Sequence, residues 1–130
     1  MCSNSRGDLI DTREYALIAA RSAANKLGDD ILILDVGDII SITDYFVLAS
    51  GGNPRQVRSI VDEIEARLKA EHQVAPRAIE GLQDNSWVLM DYGFMVVHVF
   101  LEETRAFYDL ERLWADADRV DWGGPRLAAL

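Results

Sequence analysis

The chain has 130 residues, 49% of them hydrophobic and 27% charged, which is the composition of one globular domain with its own core. No apolar run reaches the roughly 20 residues that span a bilayer, and the N-terminus lacks a signal pattern, so a cytoplasmic protein is expected. A lone Cys2 excludes a disulfide framework and provides no metal cluster. The formal charge of −9 argues against a nucleic-acid binder acting alone and favours a basic partner, although acidity that only confers solubility explains it equally well.

The first quarter of the chain predicts a helix followed by a buried strand. Residues 1–7 are small and polar and are expected to be disordered. Asp8 or Asp11 can cap a helix that runs to about Leu27 and carries an alanine-rich stripe suited to close packing on a sheet. The continuous apolar run over 31–36 predicts a buried strand.

A second strand is predicted over 45–50, followed by a glycine pair and a long helix. Asn53 is a natural N-cap and Pro54 fits the first helical position, and the helix continues to about Glu71. The glycine turn could cradle a phosphate on its backbone N–H groups, but it lacks the Lys of a P-loop and the third Gly of a dinucleotide fingerprint. The favoured interpretation of the glycine turn is a plain strand-to-helix connection. After the long helix, a further short strand is predicted over 77–80.

The stretch 87–101 predicts the β-hairpin around which the rest of the chain is organised. Apolar and β-branched residues lie on both sides of Gly93, which can supply the positive φ that a tight turn needs. With Tyr92 and Gly93 as the two turn residues, Trp87 lies opposite His98.

Side-chain alternation divides this hairpin into two faces. One face is apolar throughout and is expected to be core; it carries Val88, Met90, Tyr92, Met95, Val97, Val99 and Leu101. The other face mixes aromatic, polar and aliphatic side chains and is the predicted working surface; it carries Trp87, Leu89, Asp91, Phe94, Val96, His98 and Phe100.

A last short helix is predicted from Thr104 to Trp114. Its apolar stripe is formed by Phe107, Leu110, Leu113 and Trp114, with Tyr108 and Glu111 on the neighbouring face. Beyond it, periodicity is lost, which predicts a C-terminal tail over 116–130 with Trp122 against the body of the protein. The predicted domain, residues 8–115, is an α/β fold of order α-β-β-α-(β)-β-β-α, a single mixed β-sheet with helices packed mainly on one face.

Three neighbouring acids, Asp35, Asp38 and Asp44, could hold Mg²⁺ for phosphoryl chemistry. Two-metal nucleotidyl transfer usually places two acids at i and i+2 on one strand face. Asp35 and Asp38 are instead three apart and straddle Gly37, so they face differently. An enzyme of nucleotidyltransferase type that uses these acids with Mg²⁺ and a nucleotide is therefore the alternative hypothesis only.

His98 and Asp91 could form a general base with its orienting carboxylate. They lie several residues apart along the predicted hairpin, which is too far for a direct hydrogen bond. Neither Cys2 nor a serine in a tight elbow offers a nucleophile. We therefore predict no catalytic residues, no metal and no cofactor.

The aromatic residues favour a protein contact surface. Trp87, Tyr92 and Tyr108 are large and stiff with polar tips, and side chains of this type dominate protein interfaces. Glu111 would add a carboxylate for a basic partner. For Trp87, simple burial against the last helix is an equally good explanation.

Three segments together resemble the Iojap-like ribosomal silencing factors, and the likeness extends over residues 26–114. The segments are ITDYFVLASGGNPRQV (42–57), WVLMDYGFMVVHVF (87–100) and RAFYDLERLW (105–114). One departure is Phe94, where the family usually has Asp after the turn glycine, so a more apolar contact surface is expected here.

The resemblance implies a nucleotidyltransferase-like fold without the catalytic acids, and a function that is not enzymatic. Such factors bind the large ribosomal subunit through a basic protein of its intersubunit face, ribosomal protein L-fourteen. They obstruct joining of the small subunit, which represses translation when nutrients are scarce, and they tend to form homodimers. Carried over by position, the contact surface involves Trp87, Tyr92, Tyr108 and Glu111, with Asp91 and His98 shaping the hairpin.

Overall fold

The computed structural model describes residues 12–124, so the predicted caps Asp8 and Asp11 and the predicted disorder of 1–7 lie outside the described part. The elements are α1 (Thr12–Asn25), β1 (Asp29–Asp35), β2 (Tyr45–Gly51), α2 (Pro54–His72), β3 (Ala78–Glu80), β4 (Trp87–Asp91), β5 (Met95–Leu101), α3 (Glu102–Tyr108), α4 (Leu110–Leu113) and β6 (Asp118–Arg119). Within these residues, no helix is long and apolar enough to cross a membrane.

All six strands form one sheet in the order β3-β4-β5-β2-β1-β6, which confirms the predicted single mixed sheet. β2 and β5 are parallel, and the other neighbours are antiparallel. β6 was not expected, since it lies in the predicted tail; Arg119 pairs with Leu34 of β1. Trp122 lies against the body as predicted, and its indole Nε1–H donates to the carbonyl of Ile31 at 3.2 Å.

The glycine turn before α2 is bound to other parts of the chain. Asn53 caps α2, as predicted, because its Oδ1 accepts the N–H of Gln56 at 2.9 Å. The Gln56 side chain accepts the N–H of Gly52 at 2.7 Å and donates to the carbonyl of Leu27 at 2.9 Å. These bonds join the start of α2 to the connection that follows α1, so the turn acts as a strand-to-helix connection.

The turn of the β4–β5 hairpin is one residue later than predicted. Gly93 and Phe94 are its two central residues, and the N–H of Tyr92 donates to the carbonyl of Met95 at 2.9 Å. Gly93 has φ +87°, and its N–H donates to Asp91 Oδ1 at 2.8 Å. That side-chain bond fixes Gly93 in the first turn position.

The later turn shifts the strand register by two residues. Trp87 lies opposite Phe100, and Leu89 lies opposite His98, so the predicted opposition of Trp87 and His98 is wrong. A shift of two preserves side-chain alternation, and the strand residues keep their predicted faces.

Each face of the sheet has its own hydrophobic core. The main core lies under α1 and α2; its fully buried side chains include Ile33, Val47, Ile60, Ile64, Leu68, Met90, Val97 and Val99. The small core lies on the opposite face, where Leu110 of α4 and the nearby Trp114 pack on it; it is formed by Leu32, Leu34, Val36, Phe46, Leu48 and Phe100.

The predicted last helix is broken into α3 and α4. Asp109, between them, has φ +50°, a left-handed conformation that Asp adopts more readily than most residues. The break divides the predicted apolar stripe: Leu110 and Trp114 pack on the small core, whereas Phe107 and Leu113 are 79% and 74% exposed. The expectation of one continuous stripe is therefore wrong.

Candidate functional site

An aromatic cluster lies where β4 meets α3. The rings of Trp87 and Tyr108 are 4.8 Å apart between centroids, and Phe107 meets Tyr108 edge to face at 5.0 Å. Trp87 is half-buried, while Tyr108 is 52% and Phe107 79% exposed. We call Trp87, Phe107 and Tyr108 the contact patch. The structure thus brings together two of the predicted contact residues and adds Phe107, which the sequence pattern had assigned to the buried stripe.

Trp87 is held from beneath by the small core. Its ring lies 5.1 Å from that of Phe100, and its indole Nε1–H donates to His98 Nδ1 at 3.2 Å. The predicted proximity of Trp87 and His98 is therefore confirmed, although the two residues are diagonal neighbours. The backbone of Trp87 is also closely covered, since a Cβ at Gly81 would come within 2.1 Å of the Trp87 carbonyl oxygen.

His98 is only 5% exposed and is neutral at pH 7, because burial lowers its pKa to about 4. An indole N–H can only donate, so Nδ1 is the acceptor and the proton is on Nε2. Among residues 12–124, no group accepts a hydrogen bond from the buried Nε2–H. Asp91 does not reach this ring, since its carboxylate is bound to Gly93 and forms an ion pair with Arg77 at 3.4 Å. His98 and Asp91 therefore do not form the pair of general base and orienting carboxylate that the sequence allowed.

Tyr92 lies in the main core and is 6% exposed, which agrees with its predicted place on the apolar face of the hairpin and keeps its ring out of the contact patch. Burial, and secondarily the carboxylate of Glu65, raise the pKa of Tyr92 above its usual value. Phe94 also turns towards this side, with its ring 5.0 Å from that of Tyr15 in α1. The apolar surface expected from Phe94 therefore adds to the packing on α1 and does not extend the contact patch.

A buried ion pair behind the contact patch was not predicted. Arg105 is 6% exposed; its guanidinium donates to Glu111 Oε2 at 2.8 Å and to the Ser50 hydroxyl at 2.7 Å. Glu111, expected to face a basic partner, is thus already paired within the chain. No sequence spacing indicates this pair, because the kink at Asp109 creates it.

The segment that contains α3, α4 and β6 is nevertheless strongly negative. Between residues 102 and 124 the exposed acids are Glu102, Glu103, Asp109, Asp116, Asp118 and Asp121, and the exposed bases are Arg112 and Arg119. Six acids against two bases leave an excess of four negative charges in this segment. A basic partner would be attracted to this part of the molecule.

The acids of the alternative hypothesis serve local structure. Asp35 Oδ1 accepts the N–H of Gly37 at 3.3 Å, and Asp44 Oδ2 accepts the hydroxyl of Thr12 at 3.4 Å. Asp38 is exposed. Within residues 12–124, no group of three or more His, Cys, Asp or Glu side chains is arranged to hold a metal ion.

Comparison with known proteins gives consistent matches over most of the chain. The family model described as "Ribosomal silencing factor during starvation" matches residues 10–128. Ribosomal silencing factor RsfS of Bacillus subtilis is 39% identical over 112 residues, which cover 86% of this chain and 94% of that protein. The mouse protein named "Mitochondrial assembly of ribosomal large subunit protein 1" is 36% identical over 88 residues, 65% of this chain and 38% of that protein. A crystal structure of a protein from Chromobacterium violaceum superposes with a TM-score of 0.78 at 28% identity, covering 92% of this chain and 98% of the other.

Proposed function

Because the chain belongs to the family of ribosomal silencing factors, we propose that it binds the large ribosomal subunit and prevents the small subunit from joining. The partner on the subunit is a basic protein of the intersubunit face, ribosomal protein L-fourteen. The name of the mouse relative, which refers to assembly of the ribosomal large subunit, supports a large-subunit partner. By blocking subunit joining in the cytoplasm, the protein represses translation under nutrient limitation.

The contact patch is the observation that supports this proposal most directly. Phe107 and Tyr108 expose large rings to solvent, and Trp87 supports Tyr108 from the side. Exposed aromatic residues around a partly buried tryptophan are typical of the centres of protein interfaces. The excess of exposed acids between 102 and 124 gives the segment that carries Phe107 and Tyr108 a negative charge, which suits a basic partner and repels ribosomal RNA.

The mechanism is steric exclusion. A bound protein that covers part of the intersubunit face prevents a second large body from reaching it, which requires affinity and bulk but no turnover. Nothing in this mechanism calls for a catalytic group, so the buried neutral His98 and the locally bonded Asp35 and Asp44 need no chemical role.

Binding of patch variants to isolated large subunits tests the proposal. Trp87→Ala and Tyr108→Ala should each weaken co-sedimentation with large subunits by more than about 1 kcal/mol, which is at least five-fold in Kd. Leu27→Ala is the matched control, since Leu27 is as exposed as Phe107 at 79% but lies in the connection between α1 and β1. Undiminished binding by folded patch variants would overturn the assignment.

The exclusion step has its own test. In a density gradient the protein should migrate with free large subunits, and light scattering should show slower joining when small subunits are added. Co-migration with joined ribosomes at the same occupancy would contradict steric exclusion even if the contact patch proved correct.

The family resemblance also leads us to propose a homodimer. Sedimentation equilibrium on the wild type and on Phe107→Ala would show whether self-association exists and whether it uses the contact patch. A wild-type protein that stays monomeric at tens of micromolar would exclude the dimer.

A further inference from the structure

We propose that His98 is a positioning residue, which holds the Trp87 ring in the orientation that the ribosomal partner meets. The inference rests on the proposed function in one respect, namely that Trp87 contacts the partner. His98 itself is too buried to touch any partner. It would act only through the hydrogen bond that its Nδ1 accepts from the indole of Trp87.

The imidazole is a fixed acceptor because its neighbours restrict the ring. Phe100 is stacked beside it, with centroids 5.9 Å apart and planes 11° apart, and Phe46 meets it edge to face at 5.1 Å. Its backbone lies in β5, between β4 and β2 in the sheet. The imidazole therefore keeps a fixed orientation, and the position of its Nδ1 determines the direction of the Trp87 indole N–H.

The arrangement has a cost that packing alone does not explain. The buried Nε2–H of His98 has no hydrogen-bond partner in the described part of the chain, and unpaired buried donors are rare in proteins because they lose their hydration. A phenylalanine at this position would fill a similar volume with no polar atom to satisfy. Departures of this kind from the rules of stable packing are concentrated at functional sites.

The hydrogen bond gives Trp87 a single orientation. Without an acceptor at position 98, we expect the indole N–H to turn towards water, which changes the angle and distance at which the ring now meets Tyr108, 4.8 Å away. A ring fixed before binding loses less conformational freedom on association than a mobile one. His98 would therefore contribute to affinity by pre-organising the contact patch.

Two substitutions at position 98 separate positioning from simple packing. His98→Phe removes the acceptor and the unpaired donor, so thermal stability should be unchanged or higher, while Kd for isolated large subunits should rise about five-fold, the worth of an ordinary hydrogen bond. His98→Asn keeps an acceptor at the depth of Nδ1 and should stay within about two-fold of wild-type affinity. Binding by folded His98→Phe at wild-type affinity would overturn the proposal.

A readout independent of the ribosome is the indole N–H signal of Trp87 in proton–nitrogen spectra, identified by its loss in Trp87→Phe. In His98→Phe this signal should shift and its hydrogen exchange should become faster. The Trp122 indole, bound to the Ile31 carbonyl, is the internal control and should not change. An unchanged Trp87 signal would exclude positioning even if binding fell.

A double-mutant cycle tests whether His98 acts through the indole, because Trp87→Phe removes the donor and leaves His98 in place. If His98 acts through Trp87, adding His98→Phe to Trp87→Phe should weaken binding no further. Additive losses would contradict the proposal. If Trp87→Ala binds as the wild type does, the proposed function fails at this patch, whereas the indole signal still decides whether His98 positions the ring.

Discussion

The two faces of the sheet bury side chains of different kinds. Under α1 and α2 the main core is aliphatic, and Ile33, Ile60, Ile64 and Leu68 have no exposed surface. On the other face the small core combines aliphatic side chains with the rings of Phe46 and Phe100, is covered by short helices, and has the buried polar side chains of His98 and Arg105 beside it.

The difference suggests that the first face mainly stabilises the fold, whereas the second mainly supports the proposed binding surface. The side chains of the main core need only stabilise the fold, because the proposed binding surface lies on the other face. The small core has the exposed rings of the contact patch at its edge, and the buried Arg105 guanidinium and a His98 nitrogen without a hydrogen-bond partner among residues 12–124 lie on the same side of the sheet. We expect mutations on the first face to change stability most, and mutations on the second to change binding most.

The largest effect is expected in the main core. Ile64→Ala should lower the free energy of unfolding by about 3 kcal/mol, because it removes buried methyl groups and leaves a cavity. The matched variant Leu110→Ala, on the partly buried side of the small core, should cost only about 1 kcal/mol. Urea denaturation of both measures the contrast, and equal losses would show that the two cores stabilise the fold equally.

The buried ion pair should come next. Arg105→Ala should lower the free energy of unfolding by about 2.5 kcal/mol, since it leaves the Ser50 hydroxyl and the partly buried Glu111 carboxylate without their partner. Arg112→Ala, an exposed arginine of α4, is the control and should change it by less than about 0.5 kcal/mol. If Arg105→Ala proves as mild as its control, α3 and α4 are held by packing alone.

Acid should weaken the small core through His98. Its pKa of about 4 in the folded protein lies below the value of about 6.5 in the unfolded chain, so the unfolded state binds the proton first. The stability that neutral His98 contributes is therefore complete above pH 6.5 and is lost as the pH falls towards 4. Between pH 7.5 and 5.5 this amounts to about 1.4 kcal/mol.

Comparison with His98→Phe isolates this contribution, because the carboxylates titrate in both proteins. The difference in unfolding free energy between wild type and variant should shift by that amount over the stated range. A difference that does not depend on pH would show that His98 reaches water in the folded state.

The smallest effect on stability is expected at the contact patch. Phe107→Ala should change the free energy of unfolding by less than about 0.5 kcal/mol, because the side chain is 79% exposed. The same variant should nevertheless lower affinity for isolated large subunits several-fold. A stable variant that binds normally would limit the patch to Trp87 and Tyr108.

Local signals were sufficient for most elements. The Asn53–Pro54 helix start, the two hairpin strands and the alternation of their faces follow from side-chain chemistry within a few residues, and the structure has all three. The turn position did not follow, because Asp91 bonding to Gly93 moves it by one residue. The predicted faces of the strand residues are nevertheless correct, because the register shifts by two residues and an even shift preserves side-chain alternation.

The candidate site was predictable only in part. Trp87 and Tyr108 were identified from residue type, and the structure brings their rings together. Residue type suggests Tyr92 as a contact residue, whereas strand alternation places it on the apolar face, and its ring packs in the main core. Phe107 was missed because helical periodicity was extended across Asp109, where the helix breaks.

By itself, the amino-acid sequence determined the order of helices and strands from α1 to β5, the apolar face of the hairpin and the acidic charge, since these depend on neighbouring residues or on simple addition. Only the tertiary structure decided which strands are neighbours, that Asp118–Arg119 completes the sheet, and that Arg105 takes the Glu111 carboxylate inward. The physical reason is that pairing between distant segments depends on how whole elements pack. A single left-handed residue such as Asp109 can redirect every side chain that follows it.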